Sequence, residues 1–299
     1  MTPSDNLRGI GFMSVSMAFF AVEDMFLKFA ARDVPTGQIL FMTALFGWAF
    51  FAFLARRDGK RTFVAAAFSP WVLARNLGEM VGTAAYVTAL ASVPLATVSA
   101  VLQTMPLAVT MAAALFLHEP VGWRRWGAIF LGFVGVLLVI RPGFDGFRPA
   151  GLWVLVTVAG LTLRDIATRK IPPEISNAQV SAWGIASVAV LGALMLPFQT
   201  PVLLGPDQSA MLLGVLVFGT AGYWAITVAT RTGEVSVVSP FRYSRLIFAI
   251  TIGTFVFNEA PDAQTLLGAA LIIGSGLYAF ARERARRGAM VKNGLARLT

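Results

Sequence analysis

The chain of 299 residues contains no cysteine and one histidine, His118. Without thiols it can build neither a disulfide framework nor a thiolate metal site, and a lone histidine in a predicted turn supplies no metal cluster or proton relay. Charge is scarce too: 13% of residues are Asp, Glu, Lys or Arg, about half the share usual in soluble domains. A soluble domain of this length would lack the surface charge that keeps it dissolved. No phosphate-cradling glycine loop, HExxH helix or nucleophile–base pair is present, so no catalytic residue, cofactor or metal is expected and the chain does not read as an enzyme.

What the sequence does have is apolar residues, 57% of the total. They fall in ten stretches, near 9–31, 36–55, 69–91, 94–117, 124–140, 150–168, 177–197, 208–230, 235–257 and 264–281. At roughly 20 residues per crossing, these predict an all-α polytopic membrane protein of ten transmembrane helices. The first stretch is too long for a signal-peptide core and is interrupted by Glu23, Asp24 and Lys28, so it is expected to remain as the first helix.

Where the bases lie explains the net charge of +9. With a cytoplasmic N-terminus, 16 of the 24 Lys and Arg fall in cytoplasmic segments, and only Arg32, Arg141 and Arg148 fall in outer loops. The positive-inside rule then predicts both termini in the cytoplasm. The basic tail, 282–299, reads as a topology signal and a contact for membrane lipid, with no nucleic acid expected as partner.

The chain also repeats itself. GTAAYVTAL at 82–90 recurs as GTAGYWAIT at 219–227, HEP at 118–120 meets NEAP at 258–261, and WGAIFLGFVGVLL at 126–138 meets LGAALIIGSGLYA at 267–279. Asp24 and Lys28 find Asp165 and Arg169 at the same offset of 141 as the last pair. The predicted organisation is a first five-helix repeat, 1–141, a second, 150–281, and the tail. Five crossings per repeat force the second copy to enter from the opposite side. Inverted repeats of this kind build alternating-access carriers.

Two five-helix halves, a Glu-Pro turn after the fourth helix of each (Glu119-Pro120; Glu259-Ala260-Pro261) and a glycine-rich fifth helix resemble the EamA-type carriers of the drug/metabolite transporter superfamily. The resemblance implies secondary export of amino acids, aromatic ones among them, and related metabolites. A multidrug or organic-cation exporter of the same fold is the alternative.

Ionisable side chains in hydrocarbon need partners, water or a route to the interface. They are Glu23, Asp24, Lys28, Arg75, Glu79, Arg164, Asp165, Arg242 and Arg245. Lys28 and Arg75 lie near helix ends and are expected to snorkel. Glu79 lies about 15 Å along the third helix, on one face with Arg75, Gly82 and Tyr86, and is expected to hold a substrate amine or proton unless it pairs with Arg75. Arg245, on a stripe with Ser236, Ser239 and Arg242 beside Pro240, is expected to clamp a carboxylate or to form an inter-helix ion pair. Tyr86, Gln103, Tyr223 and Trp224 are expected to line the cavity. Glu23, Asp24 and Asp165 are candidates for proton transfer, gating or structural pairing. The glycines of the fifth and tenth helices suit close packing and a possible homodimer face.

Overall fold

The computed structural model describes residues 3–62, 64–142, 148–172, 174–232 and 234–295, except for the side chains at 3, 231, 235, 236 and 286–295. The Ser236 hydroxyl and the tail bases from Arg286 onward therefore lie outside the described residues. Among those described, all regular structure is helical: α1 (Pro3–Asp33), α2 (Thr36–Arg57), α3 (Pro70–Ser92), α4 (Leu95–Leu102), α5 (Met105–Phe116), α6 (Trp123–Ile140), α7 (Leu152–Thr168), α8 (Asn177–Met195), α9 (Pro206–Thr232), α10 (Val235–Val238), α11 (Ser244–Phe257) and α12 (Ala263–Leu295). Eight segments are long and apolar enough to cross a membrane, α4 and α5 counting as one. The two remaining apolar stretches fall short: α3 carries Arg75, Asn76 and Glu79, and α10 and α11 are separated by a tight turn at Ser239–Tyr243.

Local chemistry sets the boundaries. Pro35 and Pro94 precede α2 and α4, and Pro70 opens α3, where its missing N–H costs nothing. Ser176 and Gln179 close a reciprocal capping box on α8. Pro106 and Pro240 stand at the two breaks, where an N–H is missing from the helical ladder. Broken helix at membrane depth is tolerated where its freed groups face protein or a cavity. Here the Gln103 side chain donates to the Arg242 carbonyl at 3.2 Å, joining one break to the other.

The HEP and NEAP turns share a backbone. His118 and Asn258 both adopt a left-handed φ, 55° and 53°. Each following glutamate N–H then reaches back six residues, Glu119 to the Ala113 carbonyl and Glu259 to that of Gly253.

Antiparallel pairs order the bundle. Ser16 of α1 donates to the Gly222 carbonyl of α9 at 2.7 Å. Helices α3 and α7 touch through Gly78, Gly82 and Gly160, so closely that a Cβ on Gly160 would stand 2.6 Å from the Gly82 nitrogen. Helix α2 meets α8 at Gly37 and Gly192, and α6 meets α12 at Gly135 and Gly268. These pairings put the start of α1 and the Arg125–Glu283 ion pair at one end, the near end. The turns after α1, α3 and α11 lie at the other, the far end.

Candidate functional site

The polar side chains of the bundle interior are organised as ion pairs. Asp24 on α1 is 1% exposed. Both its carboxylate oxygens accept from Arg245 Nη2 on α11, at 2.9 and 2.7 Å. The Tyr86 hydroxyl on α3 donates to the same carboxylate and accepts from Arg245 at 3.0 Å. The guanidinium also lies over the Phe20 ring, 5.5 Å from its centroid.

A second chain of charges joins α3 to α7. Arg75 pairs with Glu79 at 2.8 Å, Glu79 with Arg164 at 3.4 Å, and Arg164 with Asp165 at 2.8 Å. Arg75 is buried against α8, where Gly184 makes the room: a Cβ there would fall 1.3 Å from Arg75 Nη1. Two further pairs sit at opposite ends of the bundle. Lys28 meets Glu259 at 3.0 Å at the far end, and Arg169 meets Glu119 at 3.0 Å at the near end.

Two expectations are therefore corrected. Lys28 and Arg75 do not snorkel, because each has a carboxylate within reach, and Lys28 also donates to the Val93 carbonyl at 2.5 Å. An internal ion pair recovers more than a strained reach to the headgroups.

Two cavities flank the Asp24–Arg245–Tyr86 cluster. The larger, about 610 Å³, extends to the Arg125–Glu283 pair at the near end and is lined by Gln103, Arg164, Asp165, Arg242 and Arg245. The other, about 450 Å³, lies among α1, α2, α3, α8 and α9 and is lined by Glu23, Glu79, Thr83, Thr220 and Tyr223, with no basic side chain in its wall. Phe20 and Tyr86 border both.

Each residue singled out from sequence can now be placed. Glu79 and Arg245 face different cavities, and both are held in ion pairs. Tyr223 lines the smaller cavity with its ring edge-on to Phe51. Trp224 lines neither: it is 61% exposed on the outward face of α9, edge-on to Phe12. Helix α12, whose glycines suit close packing, also contributes Gly276 and Phe280 to the larger cavity.

Two of the nine ionisable residues expected in hydrocarbon stand apart. Glu23 lines the smaller cavity over Gly219 with no hydrogen bond or ion pair. Arg242 lines the larger one with its guanidinium likewise unpaired. The sequence had put Arg242 on a stripe and Glu23 in a pair, and depth alone gave no reason to prefer either.

Eight apolar helices of membrane length around buried charges and cavities define a multi-pass membrane protein. The chain belongs to the EamA-like transporter family, whose domain it carries twice, over residues 7–141 and 148–280. It is 25% identical to an S-adenosylmethionine uptake transporter of Rickettsia conorii over 93% of this chain and 94% of that one. A riboflavin transporter of Rhizobium johnstonii is 29% identical over 73% and 72% of the two chains, and a pseudopaline exporter of Pseudomonas aeruginosa 25% over 90% and 95%. A crystal structure covering 93% of this chain and 99% of its own matches at a TM-score of 0.59 with 20% identity, which shows a shared fold.

Proposed function

We propose that this transporter moves small zwitterionic solutes, amino acids and related metabolites first, outward across the bacterial inner membrane by alternating access. The observation that carries the reading is the pair of uncommitted charges, Glu23 and Arg242, of opposite sign and in neighbouring cavities. An ammonium group would meet Glu23 among aromatic rings, and a carboxylate would meet Arg242.

Ten crossings in two inverted repeats, 1–141 and 150–281, with a basic tail at 282–299, are the architecture we assign. Support comes from the shared HEP and NEAP turns and from antiparallel contact between repeat-related helices, α2 with α8 and α6 with α12. A two-fold axis in the membrane plane reverses each helix onto its mate and produces such pairs. Basic residues concentrated in the near-end segments support cytoplasmic termini.

In this mechanism the Lys28–Glu259 and Arg169–Glu119 pairs act as two latches. Their side chains are 8% and 19% exposed at the far end, against 46% and 51% at the near end. The far end is thus shut while the larger cavity reaches the near end. Asp24 with Arg245 and Glu79 with Arg164 hold the helices together between states, Asp165 steadies Arg164, and substrate binding at Arg242 and Glu23 shifts the balance by its differential affinity for the two states.

A second reading, an organic-cation exporter, is favoured by the smaller cavity alone, where Glu23 and Glu79 lie among Phe20, Phe46, Phe50 and Tyr86. Counterflow in liposomes separates the two. Vesicles loaded with unlabelled amino acid should take up labelled phenylalanine, threonine or methionine saturably, with competition by zwitterions and not by their methyl esters. Competition by the esters alone would favour the cation reading. Absence of amino-acid counterflow in folded protein would overturn the first reading and leave the organic-cation exporter.

A further inference from the structure

Outside the central cavities, the seam between α6 and α12 holds a second built surface. Its upper part is an apolar groove of about 470 Å³ along Gly127, Ala128, Leu131, Leu271, Gly274 and Tyr278. At the near end it meets a basic recess of about 740 Å³ bearing Arg124, Arg125 and Arg282, and Trp123 and Arg124 border both. We propose that this seam binds one anionic phospholipid, an acyl chain in the groove and the phosphate at Arg124 and Arg282.

Three independent features fit that ligand and no other part of the surface described above. The groove carries glycines: a Cβ on Gly127 or Gly274 would meet no atom within 4 Å, so the space above them is open. The recess is basic where a headgroup would lie. Arg125 is committed to Glu283, which leaves Arg124 and Arg282 as the uncommitted cations. Helix α6 also begins beside this recess, at Gly122 and without a side-chain cap, and a helix start favours an anion. Trp123, 78% exposed with the Arg124 guanidinium 5.3 Å from its ring, sits where chain and headgroup would join. The opposite face of α12 lines the larger cavity through Gly276 and Phe280, so a lipid held here bears on the wall of the transport path without entering it.

Native mass spectrometry of the full chain in detergent tests the assignment, with dioleoyl phosphatidylglycerol, dioleoyl phosphatidylcholine and glycerol phosphate as probes. Phosphatidylglycerol should form a one-to-one adduct at about tenfold lower concentration than phosphatidylcholine, the preference expected of two bases at a headgroup. Replacing both arginines, Arg124→Ala with Arg282→Ala, should abolish the preference and keep weak binding of both lipids. Filling the groove, Gly127→Leu with Gly274→Leu, should weaken both lipids, and melting temperature checks that the fold survives. Equal binding of the two lipids by the unaltered protein would overturn the proposal. So would competition by glycerol phosphate at similar concentration, which would make the recess a site for free phosphate. A lipid-free dimer lost on filling the groove would also overturn it, assigning the seam to a second copy of the chain.

Discussion

Lys28 stands to Glu259 at the far end as Arg169 stands to Glu119 at the near end, with 3.0 Å between charged atoms in both. The difference is in what surrounds them. Glu259 also accepts from the Leu95 N–H at 2.7 Å, and Lys28 also donates to the Val93 carbonyl. The near-end pair lies at the surface, where an ion pair contributes about 0–1 kcal/mol.

Glu259→Gln should therefore open the far end, and Glu119→Gln should change little in this state. Because the chain has no cysteine, Thr97→Cys, in the far-end recess beside Glu259, gives a single reporter. Its labelling by a membrane-impermeant maleimide should rise about tenfold in the Glu259→Gln background, a shift of about 1.4 kcal/mol between states. An unchanged rate would remove the latch.

Asp24 and Arg245 should behave as a unit. Losing one partner strands a buried charge and costs about 3–5 kcal/mol, while replacing both with apolar or neutral groups costs less than the sum. Melting in detergent of Asp24→Asn, Arg245→Leu and the double variant measures this coupling. Additive losses would show that the contact is not energetically shared.

Arg242 is the opposite case, uncommitted in the cavity wall. Arg242→Ala should leave melting unchanged and raise KM for a carboxylate-bearing substrate by about tenfold to a hundredfold, the worth of a charged hydrogen bond. Arg242→Lys should recover part of the loss. An unchanged KM would sink its role as carboxylate clamp.

The far-end loop offers a pH test. Asp262 accepts hydrogen bonds from Arg141 and from the Thr265 N–H at the start of α12, and these hold its pKa at about 2 against an ordinary 3.8. A depressed carboxyl stabilises the fold above its unfolded pKa and loses that contribution as pH falls towards the folded value. The melting difference between the unaltered chain and Asp262→Asn should be constant from about pH 5 to 8 and vanish towards pH 2. A difference that grows on acidification would contradict the pairing.

Gly184→Ala should destabilise, because the added methyl would displace the Arg75 guanidinium and loosen its pair with Glu79. Melting of Gly184→Ala beside Arg75→Met with Gly184→Ala checks the cause: the second variant should recover part of the loss.

Helix positions were legible from the apolar runs. The stretch 36–55 became α2, Thr36–Arg57, and 124–140 became α6, Trp123–Ile140. Pro240 pointed to a break, since a missing N–H shows in sequence, and the structure adds a second break at Pro106. Partners did not. Depth in a helix says that Glu79 and Arg245 are costly, but it does not say whom they meet. Glu79 meets Arg75 one turn away on its own helix, the pairing that spacing offered, but it found Arg164, and Arg245 found Asp24, only through the crossing of α1, α3, α7 and α11. Glu23 and Arg242 stand out by lacking such a partner, a property no single stretch of sequence carries.

Glu259 does more than hold Lys28. The first turn of α4 begins at Pro94 with no side-chain cap of its own, and the Leu95 amide is satisfied by a carboxylate 164 residues away. A helix end completed from so far along the chain loses its cap whenever that carboxylate withdraws. Water must then reach the Leu95 amide as the two parts separate, so hydration of one peptide group and the opening of the far end become a single event.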